Sequence, residues 1–104
     1  MEIVLIDTFT VPPEAKNEFR EAAVRAQDFI KTLAGYVEGY IYEQTDGESQ
    51  SNFLTTAVWK DEQAFEDAKK AVLDEYQKRG YDPKETRQRL GIEQTRSTYT
   101  RNPY

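Results

Sequence analysis

A chain of 104 residues has the length of one domain, burying about two thirds of its unfolded surface on folding. Its 14 basic and 19 acidic side chains give a net charge of −5, with no basic stripe, which argues against nucleic acid as a partner because phosphate neutralisation needs clustered Lys and Arg. With neither cysteine nor histidine, it has no disulfide, no thiolate or imidazole metal ligand and no Ser-His or Cys-His nucleophile pair.

Residues 2–11, EIVLIDTFTV, predict the first strand. The opening apolar run lacks a basic leader and flows into the strand pattern, so no signal peptide is expected. No stretch approaches the length of a membrane span, and the default location is the cytoplasm. One face of the strand carries Ile3, Leu5, Asp7, Phe9 and Val11, the other Val4, Ile6, Thr8 and Thr10. Both faces are apolar or β-branched, which predicts cover on both sides. Pro12-Pro13 then ends the strand and opens a helix over 13–33. Its stripe is Phe19, Ala22, Ala23, Ala26, Phe29, Ile30 and Leu33, and Gly35 is the expected C′ residue.

A second strand over 36–44 alternates Tyr36, Glu38, Tyr40 and Tyr42 against Val37, Gly39 and Ile41. The polar run 45–51 is a hairpin loop. Within it, Asp46-Gly47-Glu48 lacks calcium-loop spacing and is a turn, so no metal site is expected. The third strand, 53–59, places Phe53, Thr55, Ala57 and Trp59 on one face and Leu54, Thr56 and Val58 on the other. Asp61 caps a second helix with the stripe Phe65, Ala68, Val72 and Tyr76, which stops near Gly80. Asp82-Pro83-Lys84-Glu85 fits a capping box for a short third helix ending at Gly91. The charged runs Lys69-Lys70 and Arg87-Gln88-Arg89 fit solvated helix faces. Residues 93–101 alternate weakly as a last, polar strand, and Asn102-Pro103-Tyr104 is a tail.

The order β-α-β-β-α-β predicts a single α+β domain over residues 1–104 of ferredoxin-like type. It has a four-stranded antiparallel sheet, both main helices on one face, and an extra short helix before the last strand. Val4, Ile6, Val37, Ile41, Leu54 and Val58 would then line the uncovered face. That is more apolar surface than a soluble monomer exposes, and a homodimer with sheets packed face to face is the economical cover.

Three features carry a family resemblance: Pro12-Pro13 before a helix, Gly35-Tyr36 opening the second strand, and the run from Ala57-Val58-Trp59 through Lys60-Asp61-Glu62-Gln63 to Ala64-Phe65. Together they resemble the antibiotic-biosynthesis monooxygenase-like family of dimeric α/β-barrels, over roughly residues 2–76. The resemblance implies a homodimer with a pocket between helices and sheet in each subunit. It also implies oxidation of a small, aromatic molecule without metal, flavin or other cofactor. The haem-degrading branch of the family has a tryptophan three positions after the helix phenylalanine and a proximal histidine. Here the third position after Phe65 is Ala68 and histidine is absent, which argues against haem degradation by that route.

Cofactor-free oxygenation needs a base, donors for an oxyanion and a dry pocket. Asp7 is the candidate catalytic base, as a carboxylate on a buried strand. It can equally be satisfied by a backbone amide, a tyrosine hydroxyl or an arginine such as Arg96. Trp59, Tyr40, Tyr42, Tyr76 and Tyr99 are candidate substrate-binding residues, and Tyr36 is a further candidate donor. Trp59 fits a core position as well, and a tyrosine row suits a pocket wall or an interface. Two readings stand: a cofactor-independent monooxygenase, and a non-catalytic small-molecule-binding or structural homodimer.

Overall fold

The computed structural model describes residues 1–103; Tyr104 of the expected tail lies outside the described residues. The strands are β1 (Ile3–Thr10), β2 (Tyr36–Glu43), β3 (Phe53–Trp59) and β4 (Glu93–Tyr99), and the helices are α1 (Lys16–Ile30), α2 (Glu62–Arg79) and α3 (Pro83–Leu90). They form one sheet in the order β2-β3-β1-β4 with every neighbouring pair antiparallel. This is the ferredoxin-like arrangement. The molecule is a slab 17 Å thick, the depth of one sheet and one helix layer. No helix among the described residues is long and apolar enough to cross a membrane.

Local chemistry explains where the elements begin and end. After Pro12 the chain makes one tight turn, Pro13–Ala15, before α1 proper begins at Lys16. The Asp61 carboxylate accepts from the Ala64 N–H at 2.8 Å and starts α2. Asp82 accepts from the Lys84 and Glu85 N–H groups at 3.0 and 3.3 Å and starts α3. Both helices end on glycines in the left-handed region, Gly80 and Gly91. At the end of β1, the Asn52 side chain mimics a strand. Its Oδ1 accepts from the Val11 N–H at 2.8 Å and its Nδ2 donates to the Val11 carbonyl at 2.9 Å.

Three expectations need correcting. Helix α1 ends at Ile30 rather than Leu33, and Thr32 and Leu33 continue in tighter turns. Gly35 is therefore not its C′ residue. It takes φ +83° at the entry to β2, where a Cβ would collide with the Ala64 side chain. Strand β4 ends at Tyr99 rather than at 101. The third correction concerns the faces of β2. Tyr36 pairs with Trp59, but Glu38 pairs with Val58, so Val37 is an inserted, bulged residue. One extra residue reverses the alternation beyond it. Ile41 thus turns to the helix side opposite Thr55, while Tyr40 and Tyr42 lie opposite Thr56 and Leu54 on the uncovered face. Ile41 leaves the uncovered apolar set and two tyrosines enter it, while the bulged Val37 is exposed.

The helix-covered core is in two parts. Val11, Ala15, Phe19, Phe53 and Ile92 form one buried cluster, with Phe9, Ala23 and Leu90 packed against it. Ala57, Trp59, Ala64, Phe65 and Ala68 form the other, joined by Ile3, Leu5, Ile30, Leu33 and Tyr36. Along β1 the helix-facing alternation runs Leu5, Asp7, Phe9, and along β3 it runs Ala57, Thr55, Phe53. The polar pair Asp7 and Thr55, opposite each other in the sheet, is thus the seam between the two clusters.

Candidate functional site

Asp7 is 6% exposed, and a buried carboxylate needs a partner. Its neighbour on β4 is Arg96. Arg96 Nε donates to Asp7 Oδ1 at 2.8 Å and an Nη donates to Oδ2 at 2.9 Å. This is the bidentate fork that fixes both groups in one orientation. Asp7 therefore enters the site paired rather than as a free carboxylate. The pair is asymmetric, since the Arg96 side chain is 55% exposed. The guanidinium has five N–H donors, and the fork to Asp7 uses two of them. The Asp7 contact also raises the pKa of Arg96, so its charge is permanent.

Across the sheet, Ile41, Thr55, Asp7 and Arg96 form one helix-facing row. Above the β2–β3 side lies Gln27, between Ala23 of one apolar cluster and Ile30 of the other at helical spacing. It is 8% exposed. Its Nε2 donates to the Thr56 carbonyl at 3.1 Å, while Oε1 is buried without a partner among the described residues. A Cβ on Gly39 would lie 2.9 Å from both Gln27 Oε1 and the Tyr36 hydroxyl, so glycine is what lets these two groups settle on the strand. Burial pushes the Tyr36 hydroxyl above the ordinary tyrosine pKa, with Tyr40 and Glu38 adding to the rise. Sequence reasoning missed Gln27. Its signal is a polar side chain on the apolar side of α1, where Ala23 and Ile30 flank it.

Between the helices a crevice opens, floored by Ala26, Phe29 and Ile30 of α1 and Val72 of α2. Arg25, Glu75, Tyr76 and Arg79 complete its walls. It is a small niche of about 30 Å³. Tyr76 links this crevice to the sheet, because it lines the crevice and its hydroxyl feels the charge of Arg96. Burial pushes that hydroxyl above the ordinary tyrosine pKa and Tyr81 adds to the rise, while Arg79, Arg96 and Arg87 oppose it. The phenol stays protonated at neutral pH and can donate.

The other sequence-predicted site residues are placed apart. Trp59 is 2% exposed within the second apolar cluster, edge-on to the Tyr36 ring with centroids 5.7 Å apart. Tyr40, Tyr42 and Tyr99 are 53%, 51% and 52% exposed on the uncovered face, with Tyr99 opposite Val4. The structure pairs Asp7 with Arg96, leaves Tyr76 in the crevice within the field of that arginine, and puts those three tyrosines on the far side of the sheet. Among the described residues no group of three or more acidic side chains converges to hold a metal ion.

The sequence profile of the antibiotic biosynthesis monooxygenase family matches residues 2–78. The chain belongs to that family. No curated protein sequence matches it. Among solved structures it is similar to a mutant of SnoaB, a cofactor-independent oxygenase from Streptomyces nogalater. The two share 23% identity over 99% of this chain and 95% of that one, at a TM-score of 0.72. A conserved protein from Methanosarcina mazei is similar at 17% identity, 98% and 94% coverage and a TM-score of 0.69. A haem-degrading protein from Mycobacterium tuberculosis is similar at 19% identity over 65% of this chain and 77% of that one, at a TM-score of 0.58. At these identities the structural likenesses carry the fold, and the family match carries the membership. This monooxygenase-family chain has no histidine anywhere, and Ala68 stands three residues after Phe65.

Proposed function

We propose that this protein is a cofactor-independent monooxygenase acting on a small, electron-rich aromatic molecule bound between helices and sheet, and that it works as a homodimer. The observation that carries the reading is the Asp7–Arg96 fork. It holds a permanent cation at the seam of the apolar core, with donors left over for an oxyanion.

In this reading the substrate supplies the electrons. A ring methylene or phenol ionises, the anion gives an electron to dioxygen, and the two radicals combine to a hydroperoxide. For a methylene, one oxygen atom stays as a carbonyl while the other leaves as water with both hydrogens. Arg96 holds the substrate oxyanion and Tyr76 donates a second hydrogen bond. Asp7 fixes Arg96, and each of its oxygens, accepting one bond from the fork, keeps a lone pair to receive the substrate's proton. A carboxylate already so engaged suits a substrate that ionises easily, such as a dihydroxyaromatic or an anthrone-like ketone. Trp59 stiffens the wall behind the seam. Tyr40, Tyr42 and Tyr99, together with Val4, Ile6, Leu54 and Val58, belong to the face that the second subunit covers.

The test is oxygen uptake with a panel of dihydroxyaromatic and anthrone-like compounds, using the wild type beside Asp7→Asn and Arg96→Met. Uptake by the wild type, reduced about 100-fold or more in both variants, is the expected outcome. Binding of these compounds without any uptake would favour the second reading, a non-catalytic binding homodimer, for which the already satisfied Asp7 is the supporting observation.

A further inference from the structure

We propose that Gln27 and Tyr36 form a binding site for one hydroxyl group beside Gly39, in which the bound O–H donates to Gln27 Oε1 and its oxygen accepts from the Tyr36 hydroxyl. Water and the phenolic hydroxyl of a small aromatic molecule both have that chemistry. The site is separate from the Asp7–Arg96 fork and does not depend on the oxygenase reading.

Three oxygens converge where Gly39 lacks a side chain. A Cβ there would lie 2.6 Å from the Thr56 carbonyl oxygen and 2.9 Å from both Gln27 Oε1 and the Tyr36 hydroxyl. The Gln27 Nε2 donates to the Thr56 carbonyl, which satisfies that oxygen. The same bond fixes which end of the amide is which, because a carbonyl can only accept. Oε1 is thereby left as an acceptor, and among the described residues it has no donor. Gln27 is only 8% exposed, and a buried acceptor without a donor is costly enough to be rare.

The Tyr36 hydroxyl supplies the complementary half. Burial raises its pKa, so it keeps its proton at neutral pH and can donate. No hydrogen bond joins it to Oε1, although both lie 2.9 Å from one point and so at most twice that distance apart. An oxygen about 2.8 Å from each would bridge such a gap. An ether or carbonyl oxygen cannot do so, since neither brings a hydrogen for Oε1. A hydroxyl has one donor and two acceptor positions, which is what the pair requires. The surroundings suit an aromatic body behind that hydroxyl, because Tyr36 packs with Trp59, Ile30 and Leu33 in one apolar cluster. Access is from the side of the sheet: β2 is an edge strand and Tyr36 is half-buried on it.

High-resolution crystals of the full chain, alone and soaked with phenol or anisole, test the site, with amide NMR titration by the same two compounds. The unsoaked crystal is expected to show a water oxygen within hydrogen-bond distance of both Gln27 Oε1 and the Tyr36 hydroxyl. Phenol that replaces this water should bind about fivefold tighter than anisole, whose oxygen carries no hydrogen, with shifts centred on Gln27 and residues 36–39. That result assigns the site to a ligand hydroxyl, whereas a water that stays in place under phenol assigns it to water; both support the proposal. Tyr36→Phe, with its fold checked by the amide spectrum, keeps the ring and should lose the bridging oxygen and any preference for phenol. A Tyr36 hydroxyl bonded directly to Oε1, no oxygen between them in any wild-type crystal, or an oxygen held unchanged in Tyr36→Phe would overturn the proposal. None of these readouts involves oxygen uptake, so failure of the oxygenase reading and failure of this site are told apart.

Discussion

On the helix-covered face of the sheet the middle row is polar, Thr55, Asp7 and Arg96, and its needs are met from within the chain by the fork between β1 and β4. On the opposite face the middle is Val4, Ile6 and Leu54, half-buried, with Val58 only 4% exposed, flanked by the exposed Tyr40, Tyr42 and Tyr99, and among the described residues no second layer lies over them in a slab 17 Å thick. The difference shows what each side is built for. A charge placed under helices is tolerated only with a fixed partner, and the fork holds both groups in one orientation. Apolar and aromatic side chains left facing outward need a partner surface instead. The proposed chemistry belongs to the covered face and the proposed assembly to the other.

The strongest way to break this picture is at the fork. Its two members differ in exposure, with Asp7 6% exposed as a residue and the Arg96 side chain 55%. Arg96→Met leaves a buried carboxylate without its partner and should cost about 3 kcal/mol, toward the low end for a broken buried pair because one partner reaches solvent. Asp7→Asn leaves a guanidinium that water can reach and keeps an acceptor for it, so about 1–2 kcal/mol is expected. Urea denaturation at one fixed protomer concentration checks the ranking. Equal losses, or a larger loss for Asp7→Asn, would mean that the fork does not fix the buried charge in the way described.

The bare face is probed next, through assembly rather than stability. Light scattering at micromolar concentration should give twice the chain mass for the wild type. Leu54→Glu, placed beside Thr8 and Tyr42 in the register, should give a single chain with unchanged far-ultraviolet circular dichroism. Charge burial at the centre of a self-facing patch acts twice in a two-fold dimer. A monomeric wild type would remove the face-to-face reading altogether.

How far this contrast was legible in the sequence depends on what each feature rests on. The strand and helix order, the Asp61 and Asp82 caps and the ends at Gly80 and Gly91 all rest on local chemistry, and they are where the periodicities predict. The faces of β1 and β3 follow from simple alternation and hold. The faces of β2 do not, because the bulge at Val37 arises from how Tyr36 and Glu38 pair with β3, and nothing in the local run YVEGY marks it. Arg96 could be named as one possible partner for Asp7, but only the β1–β4 register places it opposite. Gln27 is a case of tertiary context overriding type. Its amide is anchored by the Thr56 carbonyl on a strand reached only through the hairpin, and the space it fills exists because Gly39 lacks a side chain.

The smallest expected effect concerns Tyr76, which joins the crevice to the covered face. Burial holds its pKa above the free-tyrosine value of 10.0, so the folded chain keeps this proton where the unfolded chain gives it up. The stabilisation associated with the neutral phenol is fully present below pH 10 and is lost as pH rises through the folded value. Tyr36 behaves in the same sense, so wild-type stability should decline on the alkaline side with contributions from both. Tyr76→Phe removes one of them. Denaturation curves from pH 8 to 11 should therefore show a shallower decline for this variant, and Tyr36→Phe/Tyr76→Phe should flatten it further. If Tyr76→Phe leaves the alkaline slope unchanged, its hydroxyl is no more desolvated folded than unfolded, and the link drawn from the crevice through Tyr76 to Arg96 fails.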